Sequence, residues 1–114
     1  MTLYIHSSAA ADDSAAAASA DVIITTACMM LQQRSACLRE RKYWRLVIDE
    51  AHLLANPNTQ IYKALSSLHC AHVWCCTGTP LQKCNGGDMR ALLRLCGVEW
   101  AMLPKNESWK VAKG

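Results

Sequence analysis

A chain of 114 residues that is 52% hydrophobic and 18% charged can bury one modest core and is excluded from the disordered class. Its formal charge of +3 tolerates a polyanionic partner without indicating one. Seven cysteines, an odd number with no framework spacing and no secretory leader before them, indicate a reducing compartment. No apolar run approaches the roughly 20 residues that cross a bilayer, so an intracellular, soluble chain with no membrane partner is expected.

Thr2–His6 is a short β-prone run, followed by an alanine-rich connector over residues 9–20 in which nothing defines an apolar face; a solvated helix or loose link is expected there. Val22-Ile23-Ile24-Thr25-Thr26 is β-branched and predicts a buried strand. Cys28–Glu40 predicts a helix, with Cys28, Leu31 and Leu38 on one face. Trp44–Asp49 is the clearest strand, ending in acid, and Asn56-Pro57-Asn58 marks a turn after it. Ile61, Ala64, Leu65 and Leu68 fall at i, i+3, i+4 and i+7 and specify an amphipathic helix. His72–Cys76 predicts another apolar strand, running into Thr77-Gly78-Thr79-Pro80. After Gly86-Gly87, Asp88 can cap a helix whose apolar face is Met89, Leu92, Leu93 and Cys96, with Gly97 placed to stop it. Residues 98–114 form a mixed tail with Trp100 and Trp109. Strands alternating with helices predict a parallel α/β sheet.

In such a sheet ligands sit outside the carboxyl ends of the strands. Asp49-Glu50 follows the strand Leu46-Val47-Ile48, and Thr77-Gly78-Thr79-Pro80 follows Val73-Trp74-Cys75-Cys76. The two motifs are therefore expected together on one sheet edge. Phosphoryl transfer to water needs a metal held against the phosphates and a water aimed in line. An aspartate ending a rigid strand suits Mg²⁺, which prefers oxygen ligands and keeps most of its waters, and a neighbouring carboxylate suits the water. His52 is placed to hydrogen-bond toward the threonines. An isolated acidic pair would as readily end a strand and cap the next turn.

The pair is not isolated. Asp49-Glu50-Ala51-His52 after an apolar strand, followed by Thr77-Gly78-Thr79-Pro80-Leu81-Gln82, strongly resembles the SWI/SNF-type helicase-like ATPases of helicase superfamily two. Asp21–Thr26 looks like the strand-and-turn motif that precedes the acid motif there. Trp44-Arg45 and Asn56–Gln60 are most similar to the branch that includes the helicase-like transcription factor and DNA-damage-tolerance proteins. The resemblance implies a partial RecA-like parallel sheet flanked by helices, over residues 1–97, without the phosphate-loop strand and without the second motor lobe. It implies ATP and Mg²⁺ as cofactors, with Asp49 as the metal-holding acid and Glu50 as the water-activating one. His52, Thr77, Gly78 and Thr79 would couple nucleotide state to DNA grip. Implied partners are double-stranded DNA or the nucleosome and the remainder of the motor, in the nucleus, with remodelling or repair as the task.

The chain departs from the family pattern at Ala27, where tyrosine is usual, at Ala55, where lysine is usual, and at Lys83, where asparagine is usual. No G-x-x-x-x-G-K-[ST] occurs in the 114 residues, so the backbone cradle and lysine that hold phosphates are lacking and no ATPase activity is expected of the chain alone. Two other readings stay open. One is a non-catalytic DNA- or protein-interaction module using Arg34, Arg39, Arg41 and Lys42, residues that otherwise form a solvated helix face. The other is a small metal-binding domain built from His69, Cys70, His72, Cys75 and Cys76, although strand alternation puts Cys70, His72 and Cys76 on one face and Cys75 on the other.

Overall fold

A computed structural model describes residues 1–7, 14–79 and 86–98. Along them run β1 (Leu3–Ile5), α1 (Ser14–Ser19), β2 (Val22–Ile24), 3₁₀ turns at Met29–Leu31 and Gln33–Ser35, α2 (Ala36–Glu40), β3 (Lys42–Ile48), a 3₁₀ turn at Ala51–Leu54, α3 (Gln60–Ser66), β4 (His69–Cys75) and α4 (Gly86–Leu95). This is the α/β order expected of a partial RecA-like lobe. The strands divide into two two-stranded sheets, β1-β2 and β3-β4. β1 and β2 are parallel, with Leu3, Tyr4 and Ile5 opposite Val22, Ile23 and Ile24. At the end of β4, the Cys76 N–H donates to the Ile48 carbonyl at 2.8 Å and its carbonyl accepts from the Ala51 N–H at 3.0 Å. One residue bracketed by two positions of its neighbour is the parallel pattern. The Arg45 guanidinium, 4.1 Å from the Trp74 ring centroid, adds a cation–π contact across the same pair.

The chain divides into two compact units, Met1–Trp44 with Asn58–Ala71, and Arg45–Pro57 with His72–Gly114. In the first, Ala17, Ala20, Met29, Met30, Leu38, Tyr62 and Leu65 are buried. α3 forms over Gln60–Ser66, short of the predicted Leu68, and of the predicted face only Leu65 is buried, with Tyr62 taking the other core position. The Thr59 hydroxyl accepts the Tyr62 N–H at 3.2 Å and caps its first turn, and the helix packs against the Met29–Leu31 turn.

Three further expectations for this unit are corrected. The alanine-rich stretch is not a solvated link throughout: Ala17 and Ala20 are buried, and the Arg41 guanidinium donates to both of their carbonyls, satisfying groups that a helix end leaves without intrahelical donors. The helix expected over Cys28–Glu40 is broken at Gln32, which is extended at φ −74, ψ 149. Polar side chains take the carbonyls there: Ser35 Oγ donates to Met29 O at 2.6 Å, and Arg39 donates to Met30 O and Gln32 O at 2.7 and 2.9 Å. Side-chain bonds of this kind compete with the i→i−4 ladder. The strand expected to be buried is short, and Val22 and Ile24 are exposed together with Leu3 and Ile5 opposite them, because nothing among the described residues covers that face of the sheet.

In the second unit Ile48, Ala51 and Leu54 are buried, with Ala91, Leu92 and Leu95 of α4, and α4 contacts the Ala51–Leu54 turn. The predicted face of α4 is right at Leu92 but out of phase elsewhere, since Cys96 is exposed and Ala91 and Leu95 are the buried positions. Gly97 does stop the helix. Its φ is +79, and Gly97 N–H and Val98 N–H bond back to the Arg94 and Leu93 carbonyls, closing a Schellman turn. Residues 80–85, including Lys83, and 99–114, with Trp100 and Trp109, lie outside the described residues; α4 begins at Gly86, so Asp88 lies within the helix and does not cap it.

Candidate functional site

The carboxyl ends of β3 and β4 lie side by side, as the pairing through Ile48, Ala51 and Cys76 requires. Asp49 and Glu50 leave β3 at this edge, His52 sits in the 3₁₀ turn that follows, and Thr77, Gly78 and Thr79 leave β4.

The backbone at Glu50 explains the local shape. A regular parallel ladder would bring the Glu50 N–H to the Cys76 carbonyl, but the Ala51 N–H takes that place. One extra residue is therefore accommodated, as in a β-bulge. Glu50 absorbs it by adopting the left-handed conformation, φ 50 and ψ 43, which is costly for a residue with a Cβ. The displaced Glu50 N–H donates instead to Asp49 Oδ1 at 2.9 Å. Ala51, fully buried, anchors the chain immediately after the bulge. Non-glycine residues in this region tend to mark functional sites, and this one falls on an acid that the sequence singles out.

The bulge also brings the motifs together. His52 Nδ1 lies 3.2 Å from Glu50 Oε2 and 3.0 Å from Thr77 Oγ1. A carboxylate at that distance favours the proton on Nδ1, which then donates to Thr77 Oγ1. Thr77 Oγ1 in turn accepts the Thr79 N–H at 3.2 Å. His52, Thr77 and Thr79 thus form one hydrogen-bonded relay between the two strand ends, with the Glu50 carboxylate in ion-pair range of its His52 end. Among the described residues Asp49 makes no hydrogen bond to either threonine; its carboxylate is exposed beside the relay. Gly78 faces open space, with nothing within 4 Å of where a Cβ would stand. Two exposed carboxylates supply hard oxygen donors suited to a magnesium ion that retains waters.

Other candidate groups are differently occupied. Arg39 and Arg41 are half-buried, with guanidinium nitrogens donating to backbone carbonyls, and the Arg34 side chain lies outside the described residues. Lys42 is exposed. No three of His, Cys, Asp or Glu converge as metal ligands among the described residues. Along β4 the thiols of Cys70 and Cys75 are part-buried, and burial pushes both pKa values up, that of Cys75 to about 12.

A second polar cluster carries no motif. His6 is buried, with Nδ1 2.9 Å from Thr25 Oγ1 and Nε2 3.5 Å from the fully buried Ser35 Oγ. The Ser35 hydroxyl donates its proton to the Met29 carbonyl at 2.6 Å. The cluster ties the turn after β2 to β1 and the Ser35 turn. Its only sequence signal is polar residues beside apolar runs.

The family model described as "SNF2-related domain" matches residues 1–111. Among similar proteins, the DNA repair protein RAD5A of Arabidopsis thaliana is 41% identical over 58 residues, 51% of this chain and 6% of that protein. The probable global transactivator of Orgyia pseudotsugata multicapsid polyhedrosis virus is 35% identical over 81 residues, 64% of this chain and 16% of its own. The helicase-like transcription factor of Mus musculus is 42% identical over 45 residues, 40% of this chain and 4% of its own. The chain thus spans a small fraction of the length of these relatives.

Proposed function

This chain belongs to the SNF2-related domain family, and we propose that it supplies the acid-motif part of the ATP-binding lobe of a DNA-dependent ATPase and translocase. The observation that carries the proposal is the relay from His52 through Thr77 to Thr79, with the Glu50 carboxylate in ion-pair range of its His52 end, assembled at the carboxyl edge of parallel strands.

In this reading Asp49 holds a magnesium ion through water, and the ion, when bound, neutralises phosphate charge. Glu50, displaced outward by its bulge, orients and polarises the attacking water. The carboxylate also lies 3.2 Å from His52 Nδ1, so a change in what Glu50 touches alters how firmly His52 holds Thr77. Through the Thr79 N–H, Thr77 fixes the loop that leaves β4, and this is a physical route by which nucleotide state would reach a DNA-contacting surface. Phosphate binding itself needs a cradle that these 114 residues do not contain, so the chain by itself is proposed to be without ATPase activity. Partners are proposed to be double-stranded DNA or nucleosomes and the remainder of the motor. Nuclear location, with repair or remodelling as the task, accords with relatives named for DNA repair and transcription.

The test is to express the complete reading frame from which the chain comes and measure phosphate release with and without double-stranded DNA. DNA-stimulated release is expected, falling about 10² to 10⁴-fold in Glu50→Gln, with DNA affinity retained. Turnover that survives Glu50→Gln would remove Glu50 from the chemistry and contradict the assignment.

A further inference from the structure

We propose that Cys75 and Cys96 form a reversible dithiol–disulfide pair, oxidised by hydroperoxides, that fastens the end of β4 to the end of α4. The two sulfurs lie 3.6 Å apart, with Cys96 Sγ donating to Cys75 Sγ. A disulfide requires about 2.05 Å, so the sulfurs must approach by roughly 1.5 Å.

Both backbones are already held in place. Cys75 ends β4 just before Cys76, whose N–H and carbonyl pair with Ile48 and Ala51. Cys96 follows α4, its N–H bonded to the Leu92 carbonyl and the next two residues closing the Schellman turn. α4 itself rests against the Ala51–Leu54 turn through Leu92 and its buried neighbours. Pairing is selective for a geometric reason: Cys76 continues the same extended run as Cys75, so its side chain points to the opposite side of the sheet.

The roles of the two thiols differ. Cys96 is exposed and Cys75 part-buried, so a hydroperoxide reaches Cys96 first. Burial, and then the neighbouring Cys96, keep the proton on Cys75. The Cys96 thiolate attacks the outer peroxide oxygen, the O–O bond breaks, and a sulfenic acid forms with loss of alkoxide, or of hydroxide from hydrogen peroxide. Cys75 sulfur then attacks the Cys96 sulfur, its proton leaves with the departing oxygen as water, and the S–S bond forms. Two thiols and two hydrogens are lost, and the peroxide is the species reduced. In a reducing compartment such a bond is transient and regulatory. It would fix α4 beside the loop that begins at Thr77, without depending on the ATPase assignment.

The test uses the 114-residue chain, reduced, desalted and treated with hydrogen peroxide, with remaining thiols alkylated before digestion. Cys75 and Cys76 share a tryptic peptide, so fragment ions between them decide the linkage. The expected product is a single-chain species on denaturing, non-reducing electrophoresis that has lost two thiols, linked between Cys75 and Cys96, and restored by dithiothreitol. The same oxidation in guanidinium chloride should scatter the linkages among the cysteines. A Cys76–Cys96 link, a Cys96 sulfenic or sulfinic acid that never joins Cys75, or an unchanged preference in denaturant would each overturn the proposal.

Discussion

Replacing Glu50 by glycine should stabilise the chain relative to replacing it by alanine, although both remove the carboxylate. Glu50 is held at φ 50, where a residue with a Cβ is penalised by about 1–2 kcal/mol. Glycine escapes that penalty but loses more backbone freedom on folding, which returns about 0.5–1 kcal/mol. The net advantage of Glu50→Gly over Glu50→Ala is about 0.5–1 kcal/mol. The Glu50–His52 contact does not disturb the comparison, because both variants lose it, and with the Glu50 side chain 64% exposed it contributes little. Urea denaturation followed by circular dichroism reads the difference directly. With a slope near 1 kcal/mol per molar urea for so small a chain, the midpoint should move by about 0.5–1 M. Glu50→Gly no more stable than Glu50→Ala would mean that Glu50 is not left-handed in solution, and the bulge that carries Glu50 toward His52 would have to be abandoned.

Removing the Arg41 side chain by Arg41→Ala should cost about 2 kcal/mol, since a charged donor leaves the carbonyls of Ala17 and Ala20; Arg41→Lys should recover only part of it, and a denaturation midpoint unchanged by Arg41→Ala would contradict the structural role. Under reducing conditions the chain should lose stability between pH 9 and about 12, because Cys75 holds its proton more tightly folded than unfolded. Its pKa is pushed up to about 12 from 9.0, so over that window the native state binds more protons and stability falls as pH rises. Cys75→Ala should flatten that alkaline slope, as read by thermal melts across the range. The isolated chain should self-associate, since Val22, Ile24, Val47 and Trp74 are exposed along short strands and open edges pair readily. A monodisperse monomer in sedimentation velocity, with a sharp melt, would refute this.

How much of this was legible in the sequence depends on whether the deciding interaction is local. The strands leading to Asp49 and Thr77 announce themselves as apolar runs, and their parallel pairing follows from the α/β order. The His52–Thr77 contact was foreseeable because both residues leave neighbouring strands at the same edge. α3 was legible in the spacing of Ile61, Ala64 and Leu65, though its cap, Thr59, was not singled out. Cys28–Glu40 was misjudged because the carbonyl partners of Ser35 and Arg39 depend on tertiary placement, which helical periodicity does not encode. Arg41 reads as a surface cation, and only the fold brings it to carbonyls more than 20 residues earlier. The face of α4 was misphased because Ala91 is too small to register as core. Nothing about a glutamate requests a positive φ, so the bulge at Glu50 was invisible until the pairing of Ala51 with Cys76 was seen.

The central claim is that Asp49 and Glu50 form the metal-facing end of an edge shared with Thr77–Thr79. Titration with Mn²⁺, observed by nuclear magnetic resonance as paramagnetic broadening, tests it most directly in a chain that need not turn over ATP. The account predicts weak, saturable broadening centred on the amides of Asp49, Glu50, Ala51, Thr77 and Gly78, lost in Asp49→Asn. Broadening centred elsewhere, or undiminished in Asp49→Asn, would contradict it.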